Sequence, residues 1–268
     1  MPPMRTYLGC GTESFKVSTL ESLNTFSING FQGNLWLGPQ AEVAKHLSNQ
    51  GTNQATWWPV GYNSSSFPLS IGVAAGLAEL RRLRQLHPGP YFITAYSEGA
   101  CIATEYLKTD TSGDLRGGAF YGNPYRAAGQ WNPSGTAIGA VRDPGGAGIG
   151  GPAHNWRTPD SIHHYCHGPG SSYDGMPGID EYTCASTGED GDIARIFYNF
   201  VFNNWTGAFE EILVIAEDLA KSAGCTLFAA IEAAVEWIRF FGGQCQGHTN
   251  YTSYAGATYL SNVANTLP

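Results

Sequence analysis

The sequence predicts an α/β fold with a central, mainly parallel sheet, and three observations carry that reading. Apolar runs rich in strand-favouring residues alternate with helix-period stripes along the first half of the chain. The run Tyr91–Ala95 passes directly into Ala100, Cys101, Ala103, Thr104 and Leu107, which share one face of a helix. Between the two stands a serine among small neighbours, Ala95-Tyr96-Ser97-Glu98-Gly99.

That junction is the strand–turn–helix context in which a nucleophile elbow places its serine. A sharp turn there lifts the hydroxyl clear of the sheet, and the following amides open a helix whose N-terminus favours developing negative charge. Strand and helix nearly touch, so small residues are needed two before and two after the serine; Ala95 and Gly99 meet that need. A serine that merely caps a helix is the simpler alternative. The strand, the small flanks and the helix together favour the elbow.

Arg5–Cys10 reads as a first strand running into Gly11-Thr12-Glu13-Ser14, a glycine loop placed to offer a backbone N–H to a site. Residues 15–38, interrupted by Gly30, Gly33 and Gly38, show no period and read as loop. Gln40–Ser48 carries Val43, Ala44 and Leu47 on one helical face. Thr52–Val60 reads as a second strand stopped by Pro59. Leu69–Leu86 is the clearest amphipathic helix, ended by His87-Pro88-Gly89-Pro90. Leu115–Tyr121 is the next strand, and the glycine- and proline-rich stretch 127–160 reads as loop. Ser161–His167 reads as a short strand, Glu181–Cys184 as another, and Tyr254–Val263 as a terminal helix. From Ile193 to Phe241 the period becomes helical, with stripes such as Phe197, Val201, Phe202 and Ile212, Ile215, Leu219.

Composition narrows the function. Of 268 residues only 13% are charged and the net charge is −8, which disfavours a nucleic-acid partner. No segment approaches the ~18 uninterrupted apolar residues of a membrane span, and the N-terminus lacks a signal-peptide core, so a soluble protein made without a signal peptide is expected. His163, His164, Cys166 and His167 suggest a metal site, yet their spacing matches no closed zinc set. Among six cysteines, Cys166–Cys184 and Cys225–Cys245 are the pairings to consider, as bridges or as thiols.

A serine nucleophile needs a base, and the base needs an orienting carboxylate. The chain order Ser, Asp, His is met by Ser97, Asp192 and His248. Asp190-Gly191-Asp192 also reads as a plain turn and N-cap. The expectation is that Asp192, rather than Asp190, faces His248.

The residues that carry a resemblance are Trp57-Trp58-Pro59-Val60-Gly61-Tyr62, Phe67-Pro68, the 69–86 helix, Tyr96 to Ala100, Phe120 to Arg126, Asp190 to Asp192, and His248 with Tyr251. On these the sequence resembles the lysin B proteins of mycobacteriophages, cutinase-like mycolylarabinogalactan esterases. The resemblance implies an α/β-hydrolase with Ser97 as nucleophile, Asp192 as orienter and His248 as base. It also implies an oxyanion hole from the Gly11-Thr12 loop and the backbone N–H of Glu98. It further implies a core over 1–193, a helical lid or linker module over 194–244, and a return to the core over 245–268. The departures are Ala95 in place of glycine, Cys10-Gly11 where a His-Gly pair is commoner, and the long stretch 15–38. The implied reaction is hydrolysis of the ester between mycolic acids and arabinogalactan at the cell envelope during phage release, with no metal or organic cofactor. Two other readings use the same residues: a cutinase or lipase on smaller lipid esters, and a non-catalytic envelope-binding protein on the same scaffold. The intact Ser–Asp–His order argues against the second.

Overall fold

The computed structural model describes residues 23–49, 54–132, 145–168, 172–173, 176–177, 180, 182–185, 189–204, 217, 221 and 246–267. Its elements are β1 (Asn24–Ile28), α1 (Pro39–Asn49), β2 (Thr56–Pro59), α2 (Leu69–Leu86), β3 (Tyr91–Tyr96), α3 (Glu98–Leu107), β4 (Leu115–Tyr121) and β5 (Ile162–Tyr165). A two-stranded ribbon follows, β6 (Ser172–Tyr173) with β7 (Met176–Pro177), and then α4 (Glu189–Asn203), α5 (Gln246–Thr249) and α6 (Tyr254–Thr266).

The five long strands are all parallel, in the order β2-β1-β3-β4-β5. The chain winds outward from β1 to β2, then crosses back to β3 and continues the other way. The loops leaving β1 and β3 therefore diverge at their C-terminal ends and open a crevice, the usual site location in such sheets.

Strand alternation divides the core into two layers. Phe26, Ile28, Tyr91, Ile93, Ala95 and Phe120 face α2, α3 and α4. Phe92, Ala119, Tyr121 and Tyr165 face α1 and α6. α2 has the bounds that its period predicts. α4 begins before the expected module boundary at residue 194, and its Phe197, Tyr198, Val201 and Phe202 are buried in the first layer. Each such side chain contributes about 1.5–3 kcal/mol of burial, which binds α4 to the core. The stripes from Ile212 to Phe241 lie outside the described residues.

Two expectations change, and one alternative left open is decided. The strand beside β3 is β1, inside the stretch read as loop; Arg5–Cys10 lies outside the described residues. β1 was hidden because Asn24, Thr25 and Ser27 are polar, yet all are buried. The Trp58 indole donates to Asn24 Oδ1 at 2.8 Å and the Trp57 indole to Ser27 Oγ at 2.7 Å, and these bonds make the polar strand tolerable inside. Residues 182–184 form a turn and coil rather than a strand, with one bridge from Ala185 to Ala147. Cys184 Sγ donates to the Asp180 carbonyl at 3.0 Å, so the Cys166–Cys184 bridge is not made. Cys225 and Cys245 lie outside the described residues.

α3 lies against the end of β1 with backbone touching backbone. A Cβ on Gly99 would collide with the Ile28 and Asn29 carbonyls, which are backbone and cannot swing away. Gly99→Ala is expected to destabilise the protein by about 1–3 kcal/mol, the range for overpacking, read as a lower urea midpoint at unchanged slope. An unchanged midpoint would show that helix and strand have room to separate.

Candidate active site

The junction of β3 and α3 is the sharp turn expected from the sequence. Ser97 has φ 55° and ψ −123°, a conformation that a non-glycine residue holds only under strain of about 1–3 kcal/mol. Its amide donates to the Tyr121 carbonyl at 2.9 Å, and its carbonyl receives the Ala100 amide at 2.8 Å. The hydroxyl is thereby presented at the crevice between β1 and β3.

His248 comes to it from α5. Its Nε2 lies 2.8 Å from Ser97 Oγ, and its Nδ1 lies 3.0 and 3.1 Å from the two carboxylate oxygens of Asp180. This network assigns the ring proton to Nδ1, donated to Asp180, and leaves Nε2 to accept from the serine hydroxyl. The Tyr96 hydroxyl donates to the His248 carbonyl at 2.8 Å, and the two rings stack at 5.2 Å. His167 Nδ1 donates to the carbonyl of Gly247. Gly122, at φ 58°, passes beneath the imidazole; a Cβ there would lie 2.7 Å from His248 Cε1.

The carboxylate against His248 is therefore that of Asp180, and not of Asp192. Asp190 and Asp192 fall in the first turn of α4. Asp180 is fully buried, and a buried carboxylate has to be hydrogen-bonded. Besides His248 it accepts from the Tyr251 hydroxyl and from the Tyr182 amide at 3.0 Å. Its own amide donates to the His167 carbonyl, which hangs it on the chain leaving β5. Its carbonyl receives the Thr183 amide and hydroxyl. Arg126, also fully buried, then holds the Thr183 carbonyl through Nε at 2.9 Å and Nη2 at 2.7 Å, and reaches the Gly145 and Gly146 carbonyls. The residues before Asp180 carry no period, and the Gly-Asp pair at 191–192 is the louder motif. The order Ser, Asp, His is kept with Asp180 in the middle place.

Thr12 and the Gly11–Ser14 loop lie outside the described residues. The glycine loop set against the serine is Asn29-Gly30-Phe31-Gln32-Gly33, which follows β1. A Cβ on Gly30 would lie 2.8 Å from that of Ser97. The Gln32 amide is engaged with the Ser64 carbonyl and the Gly33 amide with the Gly30 carbonyl. The sequence signal was available: a five-residue strand followed by Asn-Gly, masked by the polar content of β1.

The histidine cluster disperses, as strand alternation requires. His163 meets Asn132 and stacks on Tyr259, His164 Nε2 meets Thr158 Oγ1, and His167 turns to Gly247. Burial holds the His164 ring well below the usual histidine range, at about 3. Among the described residues no group of histidine, cysteine or acidic side chains could hold a metal ion.

The crevice at Ser97 continues into a pocket with an apolar wall of Phe31, Leu69, Pro124, Tyr182, Tyr198 and Phe202. Two of these, Tyr198 and Phe202, come from α4. Glu98 lies beneath the same pocket with its side chain buried. Burial pushes its carboxyl up to about 8, opposed only by the neighbouring Tyr62 hydroxyl.

No protein-family model and no curated protein sequence matches the chain. Among solved structures, lysin B from mycobacteriophage D29 matches over 90% of this chain and 99% of that chain, with 18% identity and a TM-score of 0.65. A cutinase-like protein from Cryptococcus sp. matches over 70% and 96%, with 20% identity and a TM-score of 0.42. Trichoderma reesei cutinase, in complex with a phosphonate inhibitor, matches over 68% and 77%, with 15% identity and a TM-score of 0.38. The likeness to the phage protein spans nearly the whole of both chains at low identity, and it is one of fold: this chain has a lysin B-like α/β-hydrolase fold.

Proposed function

We propose that this chain is a serine ester hydrolase, and that its substrate is a long-chain lipid ester of the mycolyl–arabinogalactan type. The observation that supports the chemistry best is the continuous chain Ser97 Oγ, His248 Nε2, His248 Nδ1, Asp180, opening into a pocket with an apolar wall. The finer substrate rests on the sequence resemblance to the lysin B group, and the lysin B-like fold is in keeping with it.

In this reading Ser97 Oγ attacks the ester carbonyl carbon as His248 Nε2 takes the hydroxyl proton. The imidazolium that forms is stabilised by Asp180, which stays ionised. The tetrahedral oxyanion is received by the Glu98 amide at the start of α3 and by an amide of the Asn29–Gly33 loop. Since Gln32 and Gly33 have their amides engaged, Gly30 and Phe31 are the donors to expect. His248 returns the proton to the departing alcohol oxygen, leaving an acyl ester on Ser97. Water then attacks that ester with His248 again as base, and the free acid leaves.

The apolar wall takes the acyl chain. Residues 194–244 were read as a helical lid or linker module; in this proposal that module serves lipid access, and Tyr198 and Phe202 of α4 are the part of it that meets substrate. Release of free mycolic acids from purified mycobacterial cell-wall complex separates this substrate from that of a cutinase or lipase acting on smaller esters.

Ser97→Ala is expected to fold normally and to lose p-nitrophenyl butyrate hydrolysis by a factor on the order of 10⁴ or more. Retention of a tenth of the activity would remove the nucleophile assignment. Asp180→Asn is expected to lower kcat by a factor on the order of 10⁴, because it mis-sets the imidazole tautomer, while Asp192→Asn leaves kcat near wild type. The reverse ranking would return the role to Asp192. Phe202→Ser is expected to impair a p-nitrophenyl ester of a long fatty acid far more than the butyrate, since remote binding energy matters most for the long acyl chain. Equal losses on both would make α4 only a structural wall.

A further inference from the structure

Glu98 presents a problem that the proposed reaction does not use. The residue is 5% exposed, and neither carboxyl oxygen has a hydrogen-bond partner among the described residues. It packs against α2 at Gly72, where a Cβ would strike Glu98 Oε1. The Tyr62 hydroxyl, from the segment between β2 and α2, is close enough to bear on this carboxyl, but the hydrogen bond it makes goes elsewhere. Tyr62 donates to the Asn29 carbonyl at 2.8 Å.

That bond matters because Asn29 begins the loop set against Ser97. The Asn29 side chain donates to the Gly33 carbonyl at 2.7 Å, closing the loop on itself, and the Gln32 amide ties it to Ser64. Tyr62 is thus a clamp between the β2–α2 segment and the backbone that carries the expected oxyanion donors. The clamp and an unsatisfied acid sit side by side.

We propose that Glu98 is a positioning residue that works as a neutral carboxylic acid: protonated, it leaves Tyr62 on Asn29 and the loop closed on Ser97; ionised, it takes the Tyr62 hydroxyl and lets the loop open. This rests on the esterase reading for its effect on rate, though not for the opening itself. A carboxylate accepts a much stronger hydrogen bond than a carbonyl, and a buried carboxylate without a partner is too costly to leave alone. The groups that face Glu98 are Tyr62, Cys101 one turn along α3, and Tyr125 from the segment after β4. Tyr198 of α4 lies 3.7 Å beyond Cys101, and Glu105 also bears on that thiol. α2 presents Gly72 to it, and His248 is turned to Ser97. Among the described residues all the facing groups are neutral or acidic, so none of these offsets a charge on Glu98. Burial accordingly holds its titration near 8. The sign follows: the folded state keeps the proton more tightly than the unfolded chain, so the closed loop is complete in acid and neutral solution and is lost as pH rises through about 8.

The test reads amide hydrogen exchange of residues 29–33 at about pH 7 and about pH 9 in wild type, Glu98→Gln and Tyr62→Phe, corrected for the intrinsic base catalysis of exchange and referenced to β3. kcat for p-nitrophenyl butyrate is followed over the same range. In wild type the loop is expected to exchange about tenfold faster at the higher pH, since the ionised share of the group rises from about a tenth one unit below the midpoint to about nine-tenths one unit above it. kcat falls with the same midpoint and KM changes little. Glu98→Gln removes the pH response of loop exchange and moves the fall in kcat to higher pH. Tyr62→Phe gives the fast exchange at both pH values, and it carries the test by itself if Glu98→Gln does not fold. An unchanged pH response in Glu98→Gln, or a Tyr62→Phe loop as protected as wild type at neutral pH, overturns the proposal. Loop opening in a protein that hydrolyses no ester would support the clamp and reject the esterase reading.

Discussion

Ser97 can stand at φ 55° only because the elements on both sides of it are fixed. β3 lies between β1 and β4, and its end is tied to β4 through the Ser97 amide on Tyr121. α3 presses Gly99 onto the carbonyls of Ile28 and Asn29. A single strained residue is held by a parallel sheet and a buried helix whose packing outweighs about 1–3 kcal/mol of backbone strain. The site depends on this turn. It aims the hydroxyl, starts the helix whose amides face the crevice, and brings Gly30 to within contact of the serine.

The second dependence is electrostatic. Asp180 is a fully buried carboxylate, and the molecule surrounds it with His248, Tyr251 and the Tyr182 amide. Arg126 supplies a fully buried positive charge that meets carbonyls rather than an acid. Its work is to join the Asp180 turn to the glycine-rich loop after β4. The aromatic content of the chain finds its use here: Tyr96, Tyr182 and Tyr251 pack around the imidazole and restrict its rotation. Rings of this kind give apolar packing at one edge and a hydroxyl at the other, which suits a site that has to be dry and still satisfy a carboxylate.

The helices were legible where burial follows a period. α2 coincides with its stripe, α3 with the small residues after Ser97, and α6 extends the stripe that begins at Tyr254. β3 was legible because it is a short run of strand-favouring residues, and β4 because it ends on Phe120 and Tyr121 despite its two glycines. β1 was not, because Asn24, Thr25 and Ser27 resemble loop residues until the indoles of Trp57 and Trp58 are set against two of them. Those partners lie about thirty residues away, and no local pattern reports them.

The site divides in the same way. Ser97 was determined by its own neighbours, since an elbow is a local conformation with local steric demands. The sequence by itself also determined His248, as the last histidine in a chain order that acyl-transfer chemistry recognises. The choice of carboxylate was decided by tertiary structure alone. Asp180, Asp190 and Asp192 all fall between the serine and the histidine, and any of them satisfies the order. What selects Asp180 is that the turn after β5 hangs on His167 and Arg126 beside the glycine at position 122, which leaves room for an imidazole. A carboxylate acts through hydrogen bonds about 3 Å long, and only the folded chain decides which one comes that near.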